Sequence, residues 1–131
     1  MEEEGVVSIW AGVFETEEAL MAYAAEEGYD CEGNEIISPF NRDFFGGEDL
    51  WPFDPDFWER ALVAPTPDPE ALVRPFSEGT AIGPALKKIF PQGLEKAYNA
   101  AILVYNYQYG SESACHPNAP VTFLGAVPCP L

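Results

Sequence analysis

The sequence predicts an α+β single domain: an antiparallel or mixed sheet of about four strands with helices packed on it. Three observations lead there. Runs rich in β-branched and aromatic residues stand towards both ends of the chain, at residues 6–14 and 98–109, the second followed by another at 121–127. The helix signals fall between the first of these strands and the last pair. The chain is 131 residues long and 47% hydrophobic, enough for one core, so residues 1–131 are expected to form one domain.

Residues 6–14 (VVSIWAGVF) carry no charge and are apolar on both faces, as a central strand covered on each side would be. Thr16 stands at an N-cap position, with Glu17 and Glu18 in the first turn, where the helix dipole favours anions. Ala19, Leu20, Tyr23 and Ala24 recur at helical spacing and Gly28 is a fitting stop. A helix is therefore expected over 17–27, with Leu20 and Tyr23 towards the sheet and Glu18, Glu26 and Glu27 in solvent. Residues 28–51 read as irregular apart from Ser38-Pro39, a cap and first-turn pair that predicts a short helix over 39–45 ended by Gly46-Gly47. Asp54-Pro55 repeats that signal ahead of Phe57 and Trp58.

A short strand is expected over 60–64 (RALVA), bounded by Pro65 and Pro67. Asp68-Pro69 opens a helix running to Arg74, before Pro75. Residues 82–90 (IGPALKKIF) read as a further helix, with Lys87 and Lys88 in its last turn, where cations suit the dipole. Residues 98–109 (YNAAILVYNYQY) give the strongest strand signal. Asn99, Ala101, Leu103, Tyr105 and Tyr107 form one face; Ala100, Ile102, Val104, Asn106 and Gln108 form the other. After a loop over 110–120, residues 121–127 (VTFLGAV) are the last strand, which most simply pairs antiparallel with its predecessor.

The net charge of −16 sits in the first 59 residues, where seventeen acidic side chains face one basic one, Arg42; residues 60–131 hold five of each sign. Such a field bears on partners and association kinetics rather than on fold. It favours a basic macromolecular partner and disfavours nucleic acid and anionic membranes, both of which it would repel. No apolar run approaches the ~20 residues of a membrane span. The start, Met1 followed by Glu2, Glu3 and Glu4, is the reverse of a signal peptide's basic beginning, so a cytoplasmic location is expected. Cys31, Cys115 and Cys129 are odd in number and widely spaced, which suits reduced thiols rather than a disulfide framework. Cys115-His116 with Cys129 matches no standard zinc-ligand spacing.

The chemistry of catalysis is thinly represented. His116 is the one histidine, in a loop of Ser, Pro and Asn, and no nucleophile elbow, phosphate-binding glycine loop or dinucleotide fingerprint is present. No catalytic residue, metal ligand or cofactor is assigned. Asp49, Asp54, Asp56 and Glu59 lie close together, but Trp51, Pro52, Phe53 and Pro55 interrupt the alternating oxygen ligands of a calcium loop. Aromatic residues are interleaved with the acids: Phe40, Phe44, Phe45, Trp51, Phe53, Phe57 and Trp58, about half of which are expected in the core. Aromatic anchors among acids suit a protein interface. Candidate partner-binding residues are Asp43, Glu48, Asp49, Asp54, Asp56 and Glu59, with Trp51, Phe53 and Trp58 as anchors.

In order, SIWAGVF (8–14) followed directly by Thr16-Glu17-Glu18, SPFNRDF (38–44), FDPDFWE (53–59), LEKAYNAAILVYNYQY (94–109) and TFLGAV (122–127) resemble the immunity protein 22 family of bacterial polymorphic-toxin systems. The resemblance implies a small cytoplasmic α+β inhibitor, without catalysis, that protects its producer from a cognate toxin. The charge makes the toxin's expected binding surface basic. A nuclease fits best, because it needs cationic residues for phosphates. Two other readings stand beside it: a small carboxylate-dependent metal-binding protein or enzyme using Asp54, Asp56 and Glu59, and an acidic interaction module unrelated to toxins.

Overall fold

Strand β1 (Glu2–Gly12) is the axis of the molecule. The computed structural model describes residues 2–24, 28–45, 57–109 and 120–129. After β1 come α1 (Glu17–Ala24), a hairpin of β2 (Gly28–Tyr29) and β3 (Glu35–Ile36), and α2 (Pro39–Phe44). Then follow β4 (Trp58–Thr66), α3 (Pro69–Val73), α4 (Gly79–Ile89), β5 (Tyr98–Tyr107) and β6 (Val121–Pro128). The main sheet has the order β4-β5-β1-β6 and is antiparallel throughout. With four helices packed on it, it is the α+β class the sequence predicts.

Residues 6–12 of β1 carry no charge, and the two faces of the strand explain why. Val7, Ile9 and Ala11 pack with Leu72, Val73, Ile82 and Leu86 of α3 and α4. Trp10, on the opposite side, packs with Leu20 and Tyr23 of α1 and Phe40 and Phe44 of α2. β5 follows the same alternation, with Ala101, Leu103 and Tyr105 towards α3 and α4, and Ala100, Ile102 and Val104 towards α1 and α2. The starts of α1, α2 and α3 are fastened locally by side-chain caps, while α4 has none. The Ala19 N–H donates to Thr16 Oγ1, the Asn41 N–H to Ser38 Oγ and the Glu70 N–H to Asp68 Oδ1, satisfying amides that have no intrahelical acceptor.

Several expectations need correction. β6 pairs with β1, not with β5. β1 is buried on both faces and needs ladder partners along both edges, while the outer edge of β5 is taken by β4, so the free edge of β1 is where a last strand can add. β5 and β6 are both antiparallel to β1 and therefore run the same way on either side of it. Tyr107 belongs to the α1/α2 side, against Phe45 at 5.4 Å between ring centroids. Asn106 has φ 56°, and this left-handed residue resets the alternation. In β6 a register shift opposite Ile9 and Trp10 lets Leu124 and Val127, three residues apart, share one core.

The remaining differences are of extent. β4 begins at Trp58 and continues through Pro65, which an edge strand with a register shift accommodates. α4 starts at Gly79, earlier than the expected residue 82, because Gly79 lies against the end of α3. A Cβ there would collide with the Val73 carbonyl. The expected end of the first helix, with Glu26 and Glu27, and the Gly46-Gly47 stop lie outside the described residues.

Candidate partner-binding surface

Because α1, the hairpin and α2 all come from the acidic front of the chain, its charge asymmetry becomes a spatial one. Glu15, Glu17 and Glu18 are exposed at the start of α1, and Asp30, Glu32 and Glu35 are exposed on the hairpin that joins α1 to α2. Arg42 is the one basic residue of α1, the hairpin and α2, and the Arg60 guanidinium of β4 lies on the same side of the sheet. Across the sheet, the segment from α3 to α4 mixes Glu70 and Glu78 with Arg74, Lys87 and Lys88. Among the described residues the one ion pair is Lys87 Nζ to Asp68 Oδ1, 4.0 Å apart on that mixed side. The exposed carboxylates of the acidic layer have no cationic partner among the described residues.

A hydrogen bond joins the two helices of the layer. The Tyr23 hydroxyl of α1 donates to Asp43 Oδ2 of α2 at 2.7 Å. Burial first, and then this carboxylate, push the Tyr23 hydroxyl far above the ordinary tyrosine range. Beneath it the Trp10 indole is ringed by Phe40, Phe44, Phe45, Tyr109 and Phe123, with centroids 5.0 to 6.0 Å away. The indole Nε1 has no hydrogen-bond acceptor among the described residues.

The hairpin organises itself around Asp30. Its carboxylate accepts the N–H groups of Glu32 and Asn34, both at 2.9 Å, and the Asn34 side-chain amide at 3.3 Å. The Asp30 N–H donates to the Asn34 carbonyl and the Gly33 N–H to the Asp30 carbonyl. Gly33 has φ +84°, which a side chain would oppose. These bonds, led by the one from the Asn34 N–H, hold the Asp30 carboxyl below its ordinary range.

The candidate residues fare differently. Glu48, Asp49, Trp51, Phe53, Asp54 and Asp56 lie outside the described residues, as do Cys115 and His116. Asp43 is half-buried and is the acceptor for Tyr23. Trp58 is half-buried on the α1/α2 side, with the Arg60 guanidinium 4.3 Å from its ring centroid. Glu59 alternates to the other face, where its carboxylate accepts the Tyr105 hydroxyl at 2.6 Å and the Ser77 hydroxyl at 3.1 Å. The Ser77 N–H donates to it as well. Glu59 thus ties β4 to β5 and to the turn before α4. Of the interleaved aromatics, Phe40 and Phe44 are core, Phe45 is half-buried and Phe57 is exposed.

Sequence reasoning passed over Tyr29 and Ile36, which the hairpin holds in solvent, 65% and 40% exposed. The turn-forming run from Asp30 to Asn34 was the signal that could have marked the hairpin. Away from the acidic layer, a groove of about 410 Å³ is lined by Phe90, Leu94, Glu95, Tyr98, Thr122 and Phe123, among others. Its polar groups serve one another, since the Tyr98 hydroxyl donates to Glu95 Oε1 at 3.3 Å.

No helix of the described residues is long and apolar enough to cross a membrane. No curated protein and no solved structure matches the chain. The family model named Immunity protein 22 matches residues 7–128, from β1 to the end of β6, and the chain belongs to that family.

Proposed function

We propose that the protein is a non-catalytic, cytoplasmic inhibitor that neutralises a cognate toxin by docking its acidic side on a basic surface of that toxin, the nucleic-acid-binding face of a nuclease. Membership of an immunity family supports a toxin partner and an inhibitory role. The observation that carries the rest is the set of exposed carboxylates on α1 and the hairpin, which have no cationic partner among the described residues. A surface with so few internal counter-ions costs stability through self-repulsion and gains most when a cationic partner arrives.

Glu48, Asp49, Asp54 and Asp56 continue the same acidic stretch and are proposed to extend the surface, with Trp51, Phe53 and Trp58 as its anchors. Asp43 is assigned to supporting it and Glu59, on the opposite face, to the interior of the fold, because their carboxylates already serve Tyr23 and Tyr105. Charge complementarity of this kind raises association towards about 10⁸–10⁹ M⁻¹s⁻¹ at low salt. The test is stopped-flow association with the toxin domain encoded by the gene directly upstream. The rate should fall steeply as salt rises, and fall further when Glu17, Glu18, Glu32 and Glu35 are changed to Gln. A salt-independent rate would remove the steering argument.

A further inference from the structure

Of the large hydrophobic side chains exposed among the described residues, Tyr29 is the most exposed, and Ile36 lies on the same hairpin. β2 and β3 pair with each other in a sheet of their own, separate from the main one. An isolated two-stranded hairpin is marginal in water, yet this one is braced at its tip by the Asp30 bonds. It therefore holds an aromatic ring in water on a turn fixed by its own hydrogen bonds.

The register gives that ring a neighbour. Tyr29 is directly opposite Glu35. Directly opposed residues share one face of a ribbon, with Cβ atoms about 5 Å apart. Tyr29 presents a ring face and Glu35 a carboxylate, and Glu32 and Asp30 add negative charge nearby. A ring face beside a carboxylate is the pairing that takes an Arg or Lys side chain, through a cation–π contact and a charge-assisted hydrogen bond together. Ile36 lies opposite Gly28, whose missing side chain leaves it uncovered on the other face.

We infer that the 28–36 hairpin is the lead docking element for the toxin, with Tyr29 and Glu35 receiving a cationic side chain of the toxin's basic surface. This rests on the toxin-binding reading above, and deepens it by naming the element that sets complex lifetime. The distributed carboxylates govern how fast partners meet; a rigid aromatic anchor governs how slowly they part.

The experiment is biolayer interferometry with a catalytically inactive form of the upstream-encoded toxin domain, run on wild type, Tyr29→Ala, Tyr29→Phe, Glu35→Gln and Ile89→Ser. Tyr29 and Glu35 are exposed, so their variants should melt like wild type. Tyr29→Ala should weaken binding about tenfold or more, mainly through faster dissociation, whereas Tyr29→Phe, which keeps the ring, should stay within about threefold. Glu35→Gln should weaken binding several-fold, and its effect should shrink in the Tyr29→Ala background. Ile89→Ser, an exposed position on α4 across the sheet, should bind as wild type. If wild type binds with a salt-dependent rate and Tyr29→Ala matches it in affinity, the hairpin inference is overturned while the acidic-surface reading stands. If wild type does not bind the toxin domain, both fall.

Discussion

Removing the Glu59 carboxylate should destabilise the fold, and the size of the loss follows from its contacts. The Tyr105 hydroxyl is buried and donates to Glu59 at 2.6 Å, a short charge-assisted bond. The Ser77 contacts are exposed, and water replaces them at little cost. In Glu59→Ala the dominant loss is therefore a buried hydroxyl donor deprived of this acceptor, about 2 kcal/mol. For 131 residues the unfolding entropy near the midpoint is about 0.28 kcal/mol/K, so the midpoint should drop by about 7 °C. The assay is thermal unfolding by circular dichroism on Glu59→Ala, Tyr105→Phe and the double variant. The cycle should give a coupling of about 1.5 kcal/mol, because once the hydroxyl is gone the carboxylate has little left to hold. A midpoint for Glu59→Ala within about 2 °C of wild type, with no coupling to Tyr105→Phe, would refute this assignment of Glu59 to the interior architecture.

Two further outcomes follow from the packing. Tyr23 and Tyr105 are held protonated in the fold far above the ordinary value of 10.0, first by burial and then by the carboxylates of Asp43 and Glu59. The folded state thus binds these protons more tightly than the unfolded state, so their contribution is complete below pH 10 and is lost as pH rises beyond it. In an alkaline titration the tyrosinate absorbance that Tyr23→Phe removes should appear together with the loss of circular dichroism, and Tyr23→Phe should flatten that loss; the same absorbance appearing while the dichroism is intact would contradict this. Gly79→Ala should cost about 1–3 kcal/mol by forcing a Cβ onto the Val73 carbonyl and parting α3 from α4, a loss measurable by chemical denaturation.

The parts of the fold legible in the sequence are those governed by local chemistry. Ser38-Pro39 and Asp68-Pro69 announce helices because cap and proline act within one turn, and both caps form. The charge-free stretch over 6–12 announces a two-sided burial that Trp10 on one face and Ile9 on the other fulfil. Features set by distant partners were hidden. Nothing around residue 121 says that β6 will skip β5 for β1; that depends on which edges remain open. β2 and β3 are two residues each and largely exposed, so they leave no apolar alternation to read. Glu59 looked like a surface acid because its hydrogen-bond partner, Tyr105, is 46 residues away. Its neighbour Trp58 points to the opposite face, so an apparently continuous run of acids and aromatics is divided by the pleat.

Chain order thus becomes electrostatic geometry. The front of the sequence supplies the α1/α2 layer and the rear supplies the α3/α4 layer, and the sheet keeps the two apart. In the docking proposed above, carboxylates clustered on one side would create a directional field that a uniform coat of the same net charge would not, which is the condition for orienting a partner before contact.

The most direct test is a hydrogen-exchange footprint of the protein with and without its cognate toxin domain. Docking through the acidic side predicts slowed exchange along α1, the 28–36 hairpin and α2, with α3 and α4 unchanged. Protection centred on α3 and α4, with the hairpin exchanging as in the free protein, would contradict it.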